Sequence, residues 1–372
     1  MRARRRSSQT GPAQTIFALV CAMNRTAVFY ALVSAALFGI STPAAKSLVG
    51  EIDPVVLAGL LYCGAGIGVA ILRRLVHAIQ PQAVRQQVLR GEDIPWLAGA
   101  IAAGGVAGPI LLMIGLARTD AAASSLLLTL EGAATALIAW FIFHENFNHR
   151  VALGMICLIA GSVALAWSGA PTLAGVTGPL AIIGACAMWG LDNNLTRKVS
   201  LADPLQIVQL KGLIAGPVSV AVGLWAGGSF PGALNALLAG IVGFLGYGVS
   251  LALFILALRH LGSARTGAYF STAPFLGAAV AVAGLGEPVT AQLLLAGSLM
   301  GMGVWLHLTE RHEHEHIHQP LTHSHTHVHD EHHQHQHDLD DPPGEPHTHI
   351  HVHRRLMHKH AHTPDMHHQH RH

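Results

Sequence analysis

Between Arg150 and Asp192 the chain reads VALGMICLIAGSVALAWSGAPTLAGVTGPLAIIGACAMWGL (residues 151–191), without a single Asp, Glu, Lys or Arg. A bilayer core needs roughly 20 apolar residues per helical span, so this run holds two spans and a turn. The turn is marked by Gly169-Ala-Pro-Thr and by Gly178-Pro179. Residues 212–258 repeat the pattern, again without a formal charge, around the break Gly227-Gly-Ser-Phe-Pro-Gly232. Extending the same hydropathy outward predicts ten transmembrane helices, near 26–48, 54–72, 95–117, 121–143, 151–168, 179–197, 204–226, 236–258, 266–285 and 289–308. Connections as short as Arg118-Thr119-Asp120 make neighbouring helices antiparallel hairpins, because lipid tolerates no exposed irregular backbone.

Composition agrees once the chain is divided. Of 372 residues 51% are hydrophobic and 11% charged, against roughly 25% charged in soluble domains. Histidine is the second anomaly, since 28 are present and 23 of them fall between His312 and His372. Cut at Leu308, the first part carries 17 Lys/Arg and 10 Asp/Glu and the remainder 5 and 10, giving +7 and −5 and the net +2. An all-α membrane body, residues 26–308, therefore carries a polar, histidine-laden tail, residues 309–372. Cys21, Cys63, Cys157 and Cys186 all lie in apolar stretches with no C-x-x-C pair, which excludes a disulfide framework and a thiolate zinc finger. No Walker A pattern points to an ATP-driven pump, nothing points to catalysis or to a nucleic-acid partner, and a homodimer is left open.

Orientation follows from the distribution of Lys and Arg. With residues 1–25 as a basic cytoplasmic N-terminus, fourteen of the Lys/Arg up to Leu308 fall inside, Lys46 and Arg118 fall outside, and Lys211 lies within a span. Both termini are thus expected in the cytoplasm, with the chain in the inner membrane. Arg4-Arg-Arg6 and the apolar run Thr15 to Met23 resemble a signal peptide, but no small-residue cleavage site precedes the span at Thr26, and Met23 is an alternative start.

The body repeats itself. Ala36-Leu-Phe-Gly39 returns as Ala187-Met-Trp-Gly190, Lys46 as Arg197, and Asp53-Pro54 as Asp203-Pro204, at offsets of 150 to 151. Ala122 to Glu145 lies on Ala264 to Glu287 at an offset of 142. Five spans per half force the second half to insert upside down, which is the inverted-repeat design of many transporters. On these motifs, and on a Glu closing the fourth helix of each half (Glu145, and Glu287 in Gly286-Glu-Pro288), the sequence resembles the EamA type of the drug/metabolite transporter superfamily. The resemblance implies two repeats, residues 26–168 and 178–308, in a permease that moves a small metabolite or drug-like solute by alternating access, often outward. Two departures stand out. Gly132 replaces the proline usual in the fourth helix of the first half, where Pro274 serves in the second, and the tail is foreign to the family.

A charge at mid-bilayer costs about 2.5 to 3.5 kcal/mol by insertion scales and so requires a reason. Glu131 sits at the centre of the fourth predicted helix, while Asp192 and Lys211 lie about 5 and 6 Å from the centres of theirs at a 1.5 Å rise per residue. Both are displaced toward the cytoplasm and match in depth, as a structural ion pair would. Glu131 is left without a basic partner. A carboxyl that loads and releases a proton at the midplane is what proton coupling needs, and a hydrogen-bonded structural Glu is the alternative. Asn193, Asn194 and Gln209 join Asp192 and Lys211 as a polar patch for orienting a solute, or as plain interhelical hydrogen bonding. Trp140, Trp189, Tyr247 and Tyr269 are candidates to line the path or to pack.

The tail lacks hydrophobic periodicity and is expected to be disordered without metal. Its histidines alternate: His312, His314, His316 and His318; His323, His325, His327 and His329, continuing through His332, His333, His335 and His337; and His347, His349, His351 and His353, with a fourth block from His358 to His372. In an extended chain alternate residues share a face, so H-x-H gathers imidazoles without thiols, a donor set suited to Zn, Ni, Co or Cu(II). A pH-responsive polyelectrolyte is the alternative, since His titrates near pH ~6.5. The five other histidines, His77, His144, His149, His260 and His307, all fall at the cytoplasmic side and none in a predicted span. His144, Glu145 and His149 are candidates to share an ion with the tail. Three functions remain: a secondary exporter with no required cofactor, its tail binding divalent metal; a divalent-metal transporter whose tail collects or delivers the ion; and a membrane-anchored metal store or sensor.

Overall fold

The computed structural model describes residues 12–79, 89–143, 149–166, 173–199, 203–309, 312–318, 321–327, 347–353 and 356–362. They form two compact units, Met1–Glu310 and Arg311–His372. The first is helical throughout its described residues: α1 Pro12–Val49, α2 Pro54–Ile79, α3 Ile94–Ala100, α4 Gly108–Leu116, α5 Ala121–Leu127, α6 Leu130–Phe143, α7 His149–Ala166, α8 Leu173–Lys198, α9 Pro204–Trp225, α10 Ala233–Gly243, α11 Ser250–Phe270, α12 Ala273–Leu285 and α13 Ala291–Leu308. Six stretches among them are long and apolar enough to cross a membrane: Thr26–Val49, Pro54–Val76, Ile94–Leu116, Gly175–Thr196, Leu205–Trp225 and Ala233–Ala257. Ala152–Leu165, Ala273–Leu285 and Ala291–Leu306 are apolar but shorter.

Local chemistry starts these helices where the Asp-Pro motifs stand. Asp53 Oδ1 accepts from Val55 N (2.9 Å) and Val56 N (3.1 Å), and Asp203 Oδ1 from Leu205 N (3.0 Å). Pro54 and Pro204, without an N–H, occupy the first helical position, where no intrahelical partner exists anyway. Inside the bundle Leu57, Leu61, Leu112, Met113, Leu116, Leu127, Leu158, Ile182 and Met300 are fully buried, while Phe29, Ile71, Ile156, Val163, Leu294 and Trp225 point outward. An apolar belt outside an apolar core is the surface that lipid requires.

The predicted spans are interrupted where hydropathy does not show it. The third span is α3 and α4 joined by a π-helical stretch, Ile101–Ala107, and Phe244–Val249 joins α10 to α11 in the same way. Span four breaks at Leu128-Thr129, between α5 and α6. Thr129 Oγ1 donates to Leu126 O at 2.8 Å, the local side-chain competition that loosens a helix. At the repeat-related place Ser271-Thr272 separates α11 from α12, and Thr272 Oγ1 donates to Tyr269 O at 2.7 Å. Helix α11 runs on through residues 259–265, where a turn between two spans is expected, because that segment has a single glycine and no proline to stop it. Helix α1 likewise reaches back to Pro12, beyond the expected start near residue 26, and α8 begins at Leu173, with Pro179 inside it.

Helix α2 packs on α9, α7 on α13, and α5 on α12, while α1 lies against α11 and α12 and α8 against α4 and α6. Ser34 Oγ donates to Ser250 O (2.7 Å) and Ser250 Oγ to Ser34 O (2.9 Å), a reciprocal staple between α1 and α11. In the second unit the alternating pattern behaves as a strand period of two, where no regular structure is expected. Strand β1, His312–His318, pairs antiparallel with β4, Leu356–His362, and β2, Leu321–His327, with β3, His347–His353. The register sets histidine opposite histidine, for example His314 with His360 and His325 with His349.

Candidate functional site

Three polar centres lie inside the apolar bundle. In the first, Lys211 of α9 and Asp192 of α8 are each under 10% exposed, at 8% and 9%. Lys211 Nζ donates to Asp192 Oδ1 at 2.5 Å and to Thr196 Oγ1 at 2.9 Å. The Thr196 hydroxyl, one turn along α8, donates to the same carboxylate oxygen at 2.8 Å. The two charges thus meet as their depths suggest. Their neighbour on the third span is Gly104, in the π-helical stretch, where any Cβ would collide with the Asp192 carboxylate. A backbone carbonyl is exploited at the same residue: Tyr62 Oη (2.7 Å) and Trp189 Nε1 (3.0 Å) both donate to Gly104 O. Irregular helical turns of this kind re-aim backbone groups and recur at functional sites.

Around that carbonyl an aromatic cluster joins the halves. Phe38 meets Trp189 edge-on at 6.5 Å and Tyr247 at 5.9 Å, and Tyr247 lies 5.6 Å from Tyr62. The repeated aromatic-Gly motif is thereby explained. Phe38 and Trp189 touch each other, while Gly39 and Gly190 leave room for α12 and α6, where a Cβ would strike Ala273 O and come within 2.8 Å of Thr135 N respectively.

The second centre is Glu131. It is not mid-helix, as predicted, but sits in the first turn of α6, just after the break, where the helix dipole favours a carboxylate. Asn193 of α8, an exposed residue, donates to Glu131 Oε1 (3.0 Å) and to Thr135 Oγ1 (3.2 Å). Asn194 turns the other way, donating to Gly190 O (2.8 Å) and Thr135 O (3.1 Å), and so ties α8 to α6. The third centre is at the opposite side of α9. Arg73 Nε lies 3.1 Å from Asp203 Oδ2, and Arg73 Nη1 donates to Gln209 Oε1 at 3.3 Å. Gln209 therefore joins Arg73 rather than the Asp192–Lys211 patch, because residues two apart on a helix face different ways.

Sequence reasoning missed Tyr62, Gly104, Thr135 and Thr196. Only Gly104-Gly105 in the third span gave a signal. The side chains of Trp140, His77, His260 and His307 lie outside the described residues, as do His144 and Glu145, whereas His149 is exposed. Of the tail histidines, His329, His332, His333, His335 and His337 are outside the described residues, and the backbones of the other eleven named singly in the first three blocks lie in β1, β2 and β3. Among the described residues no group of three or more His, Cys, Asp or Glu is placed to hold a metal ion.

Comparison with known proteins gives one consistent result. Residues 25–167 and 176–309 each match the EamA-like transporter family. An uncharacterized transporter of Methanothermobacter thermautotrophicus is 27% identical over 297 residues, covering 76% of this chain and 87% of that protein. A protein of known crystal structure matches with a TM-score of 0.55 and 19% identity, over 76% of this chain and 95% of the other, a likeness of fold alone.

Proposed function

The chain belongs to the EamA-like transporter family, whose domain it carries twice, and is thus an integral membrane transporter rather than a member of an enzyme class; from that premise we propose a proton-coupled secondary exporter of a small metabolite or drug-like solute. We read the body as ten spans in two inverted five-helix repeats in the inner membrane, with both termini cytoplasmic. What supports this is the pairing of packing partners: α1 against α12 has its counterpart in α8 against α6, and α1 against α11 in α8 against α4. Residues assigned to one membrane face also meet one another, as Gln292 with the Ala164 and Leu165 carbonyls and Arg73 with Asp203.

The observation that carries the coupling role is Glu131 at the head of α6, bonded to an exposed amide side chain and to no Lys or Arg among the described residues. Asp192 is neutralised by Lys211, which suits a structural pair and disfavours a cation path through it. On this reading divalent metal such as Zn, Ni or Co is a ligand of the tail and a regulator, not cargo. The test is proton flux in proteoliposomes of the full chain under an imposed pH gradient with a panel of amines, amino acids and drug-like solutes, with radiometal uptake measured alongside. Glu131→Gln is expected to abolish solute-driven proton movement while the protein still inserts. Unchanged proton flux in that variant, or radiometal uptake by the wild type, would overturn the reading.

A further inference from the structure

The turn between α4 and α5, residues 117–120, is gripped from two sides by charged residues that the transport reading leaves unused. Lys46, near the end of α1, donates from Nζ to Leu116 O (2.5 Å) and Thr119 O (2.8 Å), so that an ammonium closes the carbonyl end of α4. Asp120 stands at the N-cap position of α5 and makes no side-chain cap bond. Its place is taken from the other half of the molecule, where Glu287 Oε1 and Oε2 accept from Ala121 N and Ala122 N, both at 2.7 Å. Glu287 follows Gly286, whose φ of +69° ends α12 and swings the chain toward α5. A cation at a carbonyl end and an anion at an amide end are each favoured by the helix dipole, and a carboxylate bonded to two amides is a strong, directional clasp.

One turn below the clasp, Ser124 and Ser125 are fully buried on α5, and their hydroxyls find no partner among the described residues. Ser125 sits directly against Gly277 of α12, in the interface the clasp closes. Buried hydroxyls left without partners are costly and call for a reason. An interface that parts to admit water in another state of the transport cycle supplies one.

We propose that Glu287 is the releasable latch of the pathway at this end of the bundle, with Lys46 as the anchor that presents the α5 amides to it. The closed latch joins the second half to the first. Opening at this end requires the carboxylate to exchange two amides for water, which separates α12 from α5 and wets Ser124 and Ser125. Lys46 bonds within the first half and stays engaged throughout. The assignment of this end to the outside rests on the charge-bias orientation given above; the latch itself does not.

The experiment is modification of Ser125→Cys, in a full-length chain with the four native cysteines replaced, by a membrane-impermeant maleimide applied to either face of sealed vesicles. Glu287→Gln and Glu287→Ala are each expected to raise labelling from the face carrying residues 117–120 by at least about tenfold, the ratio for loss of about 1.4 kcal/mol of closing energy. Labelling of Arg74→Cys, exposed at the other end of α2, should not change. Unaltered Ser125→Cys labelling in both Glu287 variants would overturn the latch, and so would an equal rise at Arg74→Cys, which marks general loosening. Accelerated labelling from the cytoplasmic face instead would support the latch and refute the orientation. Because the probe is a maleimide, the result is also independent of whether Glu131 carries protons.

Discussion

Replacing Lys211 by Met isolates the energetics of the buried pair. The substitution keeps an unbranched chain in the space between α8 and α9 but removes the ammonium that bonds Asp192 Oδ1 at 2.5 Å and Thr196 Oγ1 at 2.9 Å. The Asp192 carboxylate, in a residue 9% exposed, is left with the Thr196 hydroxyl at 2.8 Å as its remaining bond among the described residues. Stranding one member of a buried ion pair costs about 3–5 kcal/mol, because the desolvation penalty stays after the attraction has gone. At about 2 °C per kcal/mol for a protein of this size the full chain in detergent should unfold roughly 6–10 °C lower. Asp192→Asn should lose a comparable amount, leaving the ammonium with Thr196 alone. The double variant Asp192→Asn with Lys211→Met buries no charge and should recover most of the loss. Thermal unfolding of the four proteins decides it. If the double variant is as unstable as the singles, or if either single lies within about 1 °C of wild type, mutual neutralisation is not what keeps these two charges in the bundle.

Three further outcomes follow from the same geometry. Gly104→Ala drives a methyl into the Asp192 carboxylate and should destabilise by about 1–3 kcal/mol in thermal unfolding, whereas Gly132→Ala, with nothing within 4 Å, should be neutral or stabilising by up to about 1 kcal/mol. Trp189→Phe and Tyr62→Phe each remove one of two donors to Gly104 O and should cost about 0.5–1.5 kcal/mol singly, with the pair costing more than the sum because the carbonyl is then orphaned. Calorimetric titration of the full chain with Zn or Ni should show several ions bound, lost on deleting residues 309–372 and weakened on acidification as imidazoles protonate; the body of the truncated chain should unfold at an unchanged temperature.

Two helix starts were legible because their cause is local and carried by an Asp-Pro pair. Asp53-Pro54 and Asp203-Pro204 act within three residues of themselves, so their role as helix starts can be read from composition alone. The meeting of Asp192 and Lys211 was legible for a different reason: in runs otherwise free of charge two opposite ions at one depth have few alternatives. The interruptions were not. Ile101–Ala107 and Phe244–Val249 are as apolar as the helices around them, and what holds the extra residue in the first is a carbonyl claimed by Tyr62 and Trp189 from two other helices. The break at Leu128-Thr129 was equally hidden, and it changes the chemistry of Glu131 by giving it a helix N-terminus for a neighbour.

The repeat also separates scaffold from chemistry. Its matched residues hold the frame together: Asp53 and Asp203 cap helices, Phe38 and Trp189 touch each other, and Gly39 and Gly190 admit a neighbouring helix. The charges of the first two centres fall where the halves disagree. By the same offsets Glu131 corresponds to Ala273, Asp192 to Ser41 and Lys211 to Leu61. Ala273 is fully buried against Gly39, and Ser41 spends its hydroxyl on Phe38 O at 2.6 Å, so neither counterpart offers a titrating group. On the proposed reading of two inverted repeats, a two-fold axis in the membrane plane relates the halves, and a pathway lined identically by both would treat its two ends alike. A carboxyl in the first half and an ion pair in the second, each without a charged counterpart, make the halves chemically unequal, and on the proposed reading a solute or proton crossing between them meets different partners on the way in and on the way out.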